Sequence, residues 1–252
     1  MNILLTNDDG ILAEGLWSLY HQLSEKHSVT VAAPDRERSA VGHGITLRRA
    51  VNATKVNLGQ GRRGYAINGT PADCVKMGVG QLLAAKPDMV ISGINPGSNT
   101  GINVNYSGTV AAAREGALLG LSSIAVSIQS TEPEYYQDAA LFIERLVHMT
   151  LEKQLPAGTF LNVNIPDISS NQVKGVRVAT QSQSNPYNPL LKAAGADVNR
   201  NLMIQKKPTA DFMASGDDDE AVLNKNYISI TPIKCDVTDH DIFQDLKSWK
   251  IG

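Results

Sequence analysis

The stretch NILLTNDDG, residues 2–10, is the first indication of the fold class of this chain. Residues 2–5 form a short apolar run that ends in a polar turn carrying Asp8 and Asp9. A short continuous apolar run is typical of a strand buried on both faces, and such strands belong to parallel sheets. Ligands of open parallel sheets bind beyond the carboxyl ends of the strands. The stretch therefore predicts a parallel sheet with two carboxylates at its functional edge.

Strand-like and helical segments alternate along the first two-thirds of the chain. The chain has 252 residues, of which 42% are hydrophobic, enough for one large α/β domain. Strands are predicted at residues 2–5, 29–33, 89–94, 124–128 and 160–165, and helices at residues 15–23, 72–83, 110–119 and 135–151. Apolar strands separated by helices indicate an α/β fold with a Rossmann-like, doubly wound, mostly parallel sheet.

The last third of the chain has a different pattern. Further strands are predicted at residues 176–179 and 227–231, but the segment between them is polar. We expect residues 181–225 to leave the sheet as an arm or hairpin that meets another subunit. The chain is therefore divided into a Rossmann-like core, residues 1–180, and a C-terminal arm and oligomerisation extension, residues 181–252.

Composition and charge exclude several classes of protein. The formal net charge is -2, from 23 Lys and Arg against 25 Asp and Glu, which lacks the basic excess of nucleic-acid or membrane-surface proteins. No run approaches the roughly 20 apolar residues of a membrane span, and residues 1–10 lack the features of a signal peptide. We therefore expect a cytoplasmic protein with reduced cysteines and neither nucleic acid nor membrane as a partner.

Three loops that follow predicted strands bring oxygen ligands to one edge of the sheet. They are TNDDG at residues 6–10, APDRERSAVGHG at residues 33–44 (with the last Ala and Pro of its strand) and NPGSNTG at residues 95–101. The candidate metal ligands in these loops are Asp8, Asp9, Ser39 and Asn95. Oxygen ligands without Cys or paired His suit Mg²⁺ or Mn²⁺ rather than zinc. A divalent cation would relieve the repulsion between adjacent carboxylates, although Asp8 and Asp9 alone also fit a polar, helix-capping turn.

A fourth segment, YSGT at residues 106–109, immediately precedes the predicted helix at residues 110–119. Ser107 or Thr109 is an expected helix cap at this place. The same geometry forms an anion site, because unpaired backbone N–H groups point outward from a helix start. Gly108 between the two hydroxyls would let a phosphate approach the backbone, so capping and phosphate binding are compatible.

Together these segments predict metal-assisted hydrolysis of a phosphate ester. The cation would polarise a phosphoryl oxygen and lower the pKa of a bound water, while the helix start stabilises the developing charge. A carboxylate at the metal could act as general base, and Asp8 is preferred over Asp9. Asn95 and His43 are further candidates for binding the substrate, although His43 stands alone in a glycine-flanked loop.

Other motifs in the chain are interpreted as structural. GQGRRG at residues 59–64 fits a dinucleotide-binding pattern, but it lies between two strand-like runs and therefore predicts a hairpin turn. The acidic run at residues 217–220 lacks the spacing of a calcium loop and is expected to be a solvated turn with a helix-capping Asp. NGTP at residues 68–71 fits a turn and helix cap, or otherwise a wall of the substrate pocket.

Five blocks of this sequence, together with a C-terminal segment, resemble the SurE family of survival-protein 5′/3′-nucleotidases. The blocks are NDDG, APDRERSA, NGTPADCV, SGINPGSNTG and YSGTVAAAREG, and the C-terminal segment is YISITPI followed by DVTDH. They follow one another in the family's order over nearly the whole chain. The segment at residues 181–211 departs from the basic and aromatic pattern that family members often have there.

The resemblance implies a Rossmann-like core with a swapped C-terminal extension in a homodimer or homotetramer. It also implies a divalent-cation-dependent phosphomonoesterase, a 5′-nucleotidase acting on nucleoside 5′-monophosphates, with 3′-monophosphates and polyphosphate as further substrates. The family's metal ligands carry over onto Asp8, Asp9, Ser39 and Asn95. Asn7 and Ser107 fall at the family's active-site rim and are, with Asp8, the candidate catalytic residues.

Two functions of other classes compete with this hypothesis. A receiver-like Mg²⁺-binding signalling domain needs a phosphoacceptor Asp at the end of a middle strand, where this chain has Asn95, and is about half as long. A non-catalytic nucleotide-binding regulator stays open, because every candidate ligand could bind a nucleotide without turnover.

Overall fold

A computed structural model describes residues 1–183 and 216–249, and the strands within these ranges form one sheet. The strands are β1 (Asn2–Thr6), β2 (Ser28–Pro34), β3 (Ala53–Asn57), β4 (Arg63–Ile67), β5 (Met89–Pro96), β6 (Ser122–Ile128), β7 (Thr159–Ile165), β8 (Val176–Val178) and β9 (Ile228–Lys234). The helices are α1 (Glu14–Ser24), α2 (Pro71–Met77), α3 (Gly108–Leu118), α4 (Tyr136–Lys153), α5 (Asp219–Asn224) and α6 (His240–Lys247).

The sheet is mixed but mostly parallel, with the order β3-β4-β2-β1-β5-β6-β7-β9-β8. The strands from β4 through β2, β1, β5 and β6 to β7 are parallel, and β3 and β9 run antiparallel to their neighbours β4 and β7. The strand order reverses direction at β1, next to β5, as in doubly wound folds. The predicted α/β fold class is confirmed.

Helices cover both faces of the sheet, which explains why its central strands are continuously apolar. Ile3 and Leu5 of β1 pack in the cluster that contains Leu16 and Leu19 of α1, together with residues of α4. Leu4 points the other way and packs in a second cluster with residues of α2 and α3. Successive strand side chains point to opposite faces, so both faces of β1 need an apolar covering.

The glycine-rich pattern at residues 59–64 is the turn of a β-hairpin. β3 and β4 pair antiparallel on either side of it, with Asn57 opposite Arg63. No helix follows the pattern, since the chain continues directly into β4. The interpretation as a hairpin turn, and not as a dinucleotide site, is confirmed.

The helix predicted at residues 72–83 is shorter than expected. α2 ends at Met77, and residues 78–82 form a π-helical turn. Gly78 and Gly80 lie in this turn, and glycine is a poor helix former because of its backbone freedom. The helix begins as predicted: Thr70 caps it in a reciprocal capping box with Asp73.

The acidic run at residues 217–220 is only partly the structure that the sequence predicted. Asp218 caps α5 by accepting a hydrogen bond from the Ala221 N–H at 2.8 Å, as expected. The expectation of a solvated turn is wrong, because Asp218 and Asp219 are buried. The Asp219 carboxylate accepts hydrogen bonds from the backbone N–H groups of Gly101 and Ser182, which compensate its burial.

The C-terminal part of the described chain contains both sheet and surface elements. β9 pairs antiparallel with β7 and so belongs to the main sheet. α6 lies beyond it and buries none of its residues. Most of the predicted arm, residues 184–215, lies outside the described residues, so the division into a core and an extension stays a prediction. Within the described residues, no helix is long and apolar enough to cross a membrane.

Candidate active site

The carboxyl ends of β1, β2 and β5, three adjacent strands, place their loops at one edge of the sheet. A cavity of about 220 Å³ opens there. Four residues singled out in the sequence line it, namely Asp8, Ser39, Asn95 and Ser107. These residues lie up to 99 positions apart in the chain (107 − 8), and the strand order brings them together.

Asp8 is the most buried acidic group of this edge, with 3% of its surface exposed. The Thr109 hydroxyl donates a short hydrogen bond to Asp8 Oδ1. Burial raises the pKa of Asp8, and the hydrogen bonds from Thr109 and nearby backbone groups oppose that rise. The dominant effect is desolvation of a negative charge, a cost that a bound cation would offset.

Asp9 lies beside it and has an unsatisfied buried oxygen. Asp9 Oδ2 is buried and has no hydrogen-bond partner among the described residues. Burial, then the charges of Asp8 and Glu37, raise the pKa of Asp9 to about 7. A buried carboxylate oxygen without a donor is costly unless something cationic meets it. Asp9 therefore fits a metal-ligand role, although it does not line the cavity.

Ser39 reaches the cavity from the loop that follows β2. This loop is tied to the first strand-end turn, since the Arg38 N–H donates to the Asp8 carbonyl at 2.7 Å. It is also tied to the segment before α3, since the Gly42 N–H donates to the Tyr106 carbonyl at 2.9 Å. The Ser39 hydroxyl donates to Glu37 Oε1 at 2.6 Å, which brings a third carboxylate to the same edge.

His43 anchors the same loop from its other end. Its Nε2 lies 2.9 Å from Glu115 Oε2, and Lys76 Nζ lies 2.9 Å from Glu115 Oε1. Glu115 is buried on α3, and the pKa of its carboxyl is lowered, first by the hydrogen bond from His43 and also by Lys76. His43 does not line the cavity, so its predicted contact with substrate stays a prediction while its contact with Glu115 is a structural one.

Asn95 presents its carbonyl oxygen at the end of β5. Its amide Nδ2 donates to the carbonyls of Pro96 and Gly97, at 3.1 and 2.6 Å, which leaves Oδ1 as the atom that can meet a cation. The pairing of β5 with β6 shifts register between Ser92 and Asn95. Such an irregularity re-aims the strand end. Gly93 permits it, because a Cβ there would lie 2.4 Å from the Val126 carbonyl oxygen.

A buried amide network holds the loop that follows Asn95. The Asn99 N–H donates to Asn164 Oδ1 and the Asn99 side-chain amide donates to Ser127 Oγ, both at 2.8 Å. Asn162 Nδ2 donates back to the Asn99 carbonyl at 2.8 Å. β6 and β7 supply these partners, so the sheet itself positions the loop that carries Asn95.

The start of α3 completes the edge. Ser107 is the helix cap, accepting from the Val110 N–H at 3.1 Å. A Cβ on Gly108 would lie 2.7 Å from the Asp8 Cβ and 2.9 Å from Asp8 Oδ2. Gly108 is therefore required by the approach of Asp8, a reason that the sequence did not suggest. The Thr109 hydroxyl donates to Asp8, and the Thr109 backbone also hydrogen-bonds that carboxylate, so binding of phosphate by Thr109 stays a prediction.

Asn7 is fully buried and shapes the strand-end turn. Its Nδ2 donates to the Gly10 carbonyl, and its Oδ1 accepts from the Gly10 N–H, at 3.1 and 3.2 Å. These bonds hold the turn that presents Asp8 and Asp9. A catalytic role for Asn7 stays a prediction, while its contacts are those of a positioning residue.

Several residues that line the cavity were not among the predicted site residues, and Asn99, Asn103 and Tyr106 are three of them. Asn99 lies in the strand-end loop at residues 95–101, and its amide side chain was a usable signal. Tyr106 is half exposed at the cavity. An exposed aromatic next to a predicted phosphate site indicates a surface for stacking a ring, a signal that was present in YSGT.

The fold and the oxygen-rich strand-end cavity define a class, the doubly wound α/β proteins that bind ligands beyond their parallel strands. Comparison with known proteins identifies the family within this class. A family model described as survival protein SurE matches residues 3–188. The chain belongs to the SurE family, and the resemblance seen in the sequence is confirmed.

Individual relatives agree with this assignment over the whole chain. The 5′-nucleotidase SurE of Desulfatibacillum aliphaticivorans is 47% identical over 251 residues, covering 100% of this chain and 99% of the relative. The 5′-nucleotidase SurE of Syntrophobacter fumaroxidans is 40% identical with full coverage of both chains. The crystal structure of the SurE protein from Aquifex aeolicus superposes with a TM-score of 0.82 at 32% identity, covering 98% of each chain.

Proposed function

We propose that this chain is a divalent-metal-dependent 5′-nucleotidase, which hydrolyses nucleoside 5′-monophosphates to nucleoside and phosphate. Relatives named 5′-nucleotidase SurE, 38–47% identical over at least 98% of this chain, support the nucleotidase activity. The strand-end carboxylates support the metal dependence. Their oxygen ligands favour Mg²⁺ or Mn²⁺ as the ion.

The observation that carries the proposal is the buried pair Asp8 and Asp9. Two adjacent carboxylates, both with raised pKa, cannot share a buried edge as anions without a counter-charge. No Lys or Arg side chain forms an ion pair with either carboxylate within the described residues. Ser39 and Asn95 add neutral oxygens on the same cavity, and such a set suits a hard divalent cation.

The chemistry divides between the cation and the chain's own residues. When bound at Asp8, Asp9, Ser39 and Asn95, the cation would act as a Lewis acid on the phosphoryl group and its attacking water. The start of α3 at Ser107, Gly108 and Thr109 is the proposed phosphate site, with the Ser107 side chain at the cavity. The backbone groups of Gly108 and Thr109 also hydrogen-bond the Asp8 carboxylate, so the same helix start would position both the metal ligand and the phosphate. Asp8 is the candidate acceptor of the proton that the attacking water loses as its oxygen joins phosphorus and the ester bond to the nucleoside oxygen breaks.

The nucleoside half of the substrate would extend from this phosphate site towards the cavity rim. Tyr106 offers a ring that can stack against a base or cover the ribose. Asn95 and His43 are further candidates for polar contacts with the substrate. Activity on 3′-monophosphates and polyphosphate is part of the proposal, because the resemblance to the SurE family implies these further substrates.

We propose that the protein acts as a homo-oligomer in the cytoplasm. α6 leaves Ile242, Phe243 and Leu246 exposed, followed by an exposed Trp249. Apolar side chains grouped on a short surface helix mark an interaction surface, which supports a homodimer or homotetramer. We propose no nucleic-acid or membrane partner, in keeping with the balanced charge of the chain.

One assay tests the proposal directly: phosphate release from nucleoside 5′- and 3′-monophosphates after EDTA treatment and after re-addition of Mg²⁺ or Mn²⁺. We expect no release in EDTA and restored release with either ion, with 5′-monophosphates among the substrates. Release that persists in EDTA would remove the metal from the mechanism. Nucleotide binding without release, under any ion, would instead support the non-catalytic regulator.

A further inference from the structure

A cluster of two imidazoles and a carboxylate lies at the end of the sheet opposite the candidate active site. His27, Glu144 and His148 each offer one ligand atom, and these atoms all lie within 4.8 Å of one another. His27 immediately precedes β2, whereas Ser39 follows it. The seven residues of β2 separate the two places by roughly 20 Å at about 3.3 Å per residue, so the cluster is independent of Asp8 and Asp9.

The three side chains come from two elements that pack on the same face of the sheet. Glu144 and His148 are four residues apart on α4, one turn of helix, and therefore share a face. His148 Nε2 lies 3.3 Å from Glu144 Oε1. His27, from the turn after α1, brings its ring to 5.2 Å from the His148 ring, centroid to centroid. Helix spacing thus presents two ligands, and the fold adds the third.

The state of each group suits a metal ligand. Glu144 is 6% exposed, and the pKa of its carboxyl is lowered, first by the hydrogen bond from Lys26, so it is ionised at neutral pH. His27 Nε2 is buried and has no hydrogen-bond partner among residues 1–183 and 216–249. Burial, followed by the charges of the amino terminus and His148, lowers the pKa of His27. A neutral imidazole is the form that binds metal.

We propose that His27, Glu144 and His148 form a second metal site, selective for a borderline divalent cation such as Zn²⁺. Two imidazole nitrogens and one carboxylate oxygen match the ligands of zinc and differ from the all-oxygen set at Asp8 and Asp9. His148 is half exposed, so water can complete the coordination. The bound ion would tie α4 to the turn between α1 and β2 and stabilise the fold.

Lys26 is the competitor for this site. Its Nζ lies 2.8 Å from Glu144 Oε1 and supplies the counter-charge in the absence of a cation. The Lys26 side chain is 56% exposed, so its ammonium group can turn into solvent when an ion arrives. An exposed ammonium held by one ion pair contributes little to stability, and a divalent ion held by three ligands would displace it.

The test compares Zn²⁺ binding to metal-stripped full-length proteins by equilibrium dialysis, with Co²⁺ as a spectroscopic substitute. The parent, Asp8→Asn, His27→Gln/His148→Gln and His148→Gln alone are titrated. We expect Asp8→Asn to keep one Zn²⁺ whose Co²⁺ spectrum shows nitrogen ligation. The two histidine variants should lose that ion, with affinity falling more than the 10–100-fold typical of losing an outer-shell partner.

A matched control is His240→Gln. His240 Nε2 lies 2.8 Å from Asp236 Oδ2 at the same four-residue spacing, but this pair belongs to no three-ligand group among the described residues. Zn²⁺ at 100 times its Kd should raise the Tm of Asp8→Asn by about 5–10 °C. It should leave the Tm of the double variant Asp8→Asn/His148→Gln unchanged, because that protein lacks both proposed sites.

Three results would overturn the site: no Zn²⁺ retained by Asp8→Asn, unchanged binding in the His27→Gln/His148→Gln protein, or an equal loss in His240→Gln. Equal Tm values in EDTA for the parent and His148→Gln show that the exposed substitution leaves the fold intact. Mg²⁺-dependent phosphate release should be unchanged in the histidine variants, so failure of this site and failure of the proposed nucleotidase are separately visible.

Discussion

Asp8 is the residue on which the proposed chemistry depends, and in the metal-free protein its charge opposes folding. Replacing it with Asn keeps an oxygen that can accept the Thr109 hydroxyl bond and removes the buried negative charge. We expect Asp8→Asn to lower phosphate release by about 10³-fold or more, while the Tm in EDTA stays equal or rises.

Differential scanning calorimetry with and without Mg²⁺ checks this prediction. The ion should raise the Tm of the parent but not of Asp8→Asn. Asp88→Asn is the control, because Asp88 lies before β5 at the opposite end of the sheet, where its carboxylate accepts from the Asn2 N–H. An Asp8→Asn protein with parental turnover would contradict the ligand assignment.

Asp9 makes the stability of the metal-free protein depend on pH. Its pKa is about 7 in the folded chain, against 3.8 when unperturbed. The folded state therefore binds more protons than the unfolded state between these values, and stability falls as pH rises from about 4 to 7. We expect Asp9→Asn to remove a loss on the order of 4 kcal/mol over this window, at about 1.4 kcal/mol per pH unit.

Urea unfolding in EDTA at pH 5 and pH 8 measures how the free energy of unfolding of the parent and of Asp9→Asn changes with pH. Saturating Mg²⁺ should flatten the parental profile, because the cation favours the ionised carboxylate. Identical pH profiles for the two proteins in EDTA would show that Asp9 is not the group responsible.

At the scale of elements, the start of α3 and the β1 turn are packed so closely that only glycine fits between them. A methyl group at position 108 would meet Asp8 at 2.7 Å, so Asp8 or the helix must shift. Gly108→Ala should lower phosphate release by about 10²-fold, since a misplacement of about 1 Å has that effect.

Gly80→Ala is the matched control for this substitution, because a Cβ there meets nothing within 4 Å. It should leave phosphate release unchanged. Isothermal titration with Mn²⁺ should show weaker ion binding to Gly108→Ala than to the control. Parental affinity and turnover in Gly108→Ala would mean that the close approach is not needed.

The loop that carries Ser39 depends on Glu115 of α3. Glu115→Gln keeps the shape of the side chain but weakens both the His43 and the Lys76 contacts. Loss of charge-assisted hydrogen bonds at a buried group should cost about 1–3 kcal/mol at neutral pH. The pKa of Glu115 is lowered from 4.5, so this stabilisation is present above the unfolded pKa and is lost as pH falls through the lower, folded pKa.

Denaturant unfolding at pH 7 checks the size of the effect, with the exposed Glu152→Gln as control, for which we expect a change below about 0.5 kcal/mol. If Glu115 positions the loop, Glu115→Gln should also bind Mn²⁺ more weakly. A stability loss with unchanged ion affinity would restrict Glu115 to a structural role.

At the scale of the whole molecule, α6 is the element that the described chain leaves uncovered. Phe243 and Leu246 are partly exposed on it, and burying such side chains against a second subunit contributes about 1.5–3 kcal/mol each. We expect Phe243→Lys/Leu246→Lys to weaken self-association by more than 10-fold. Light scattering after size-exclusion chromatography measures the molar mass of the oligomer, with Gln244→Lys on the same helix as control. Equal masses for both variants would move the subunit interface elsewhere.

Much of the fold was predictable because its signals are local. Five apolar runs and the helices between them were recognised, and so was the hairpin turn at residues 59–64, since periodicity and turn chemistry act over a few residues. The burial of Asp219 was not predicted, because it depends on hydrogen bonds from Gly101 and Ser182, which lie far away in the chain. The early end of α2 was also missed, although Gly78 and Gly80 stand in the sequence as a local signal.

The family and the set of oxygen-bearing residues that follow the strands could be read from the sequence, since both are matters of residue type and order. How these residues are used depends on the packing of the folded chain. In the folded chain the Thr109 hydroxyl donates to Asp8, the Asp8 carboxylate packs against Gly108, and His43 contacts Glu115. Folding also places His27 next to Glu144 and His148, although His27 and Glu144 are 117 positions apart in the chain (144 − 27). Side-chain hydrogen bonds form over about 3 Å, and proximity at that scale between distant residues is set by packing, which residue order alone does not specify.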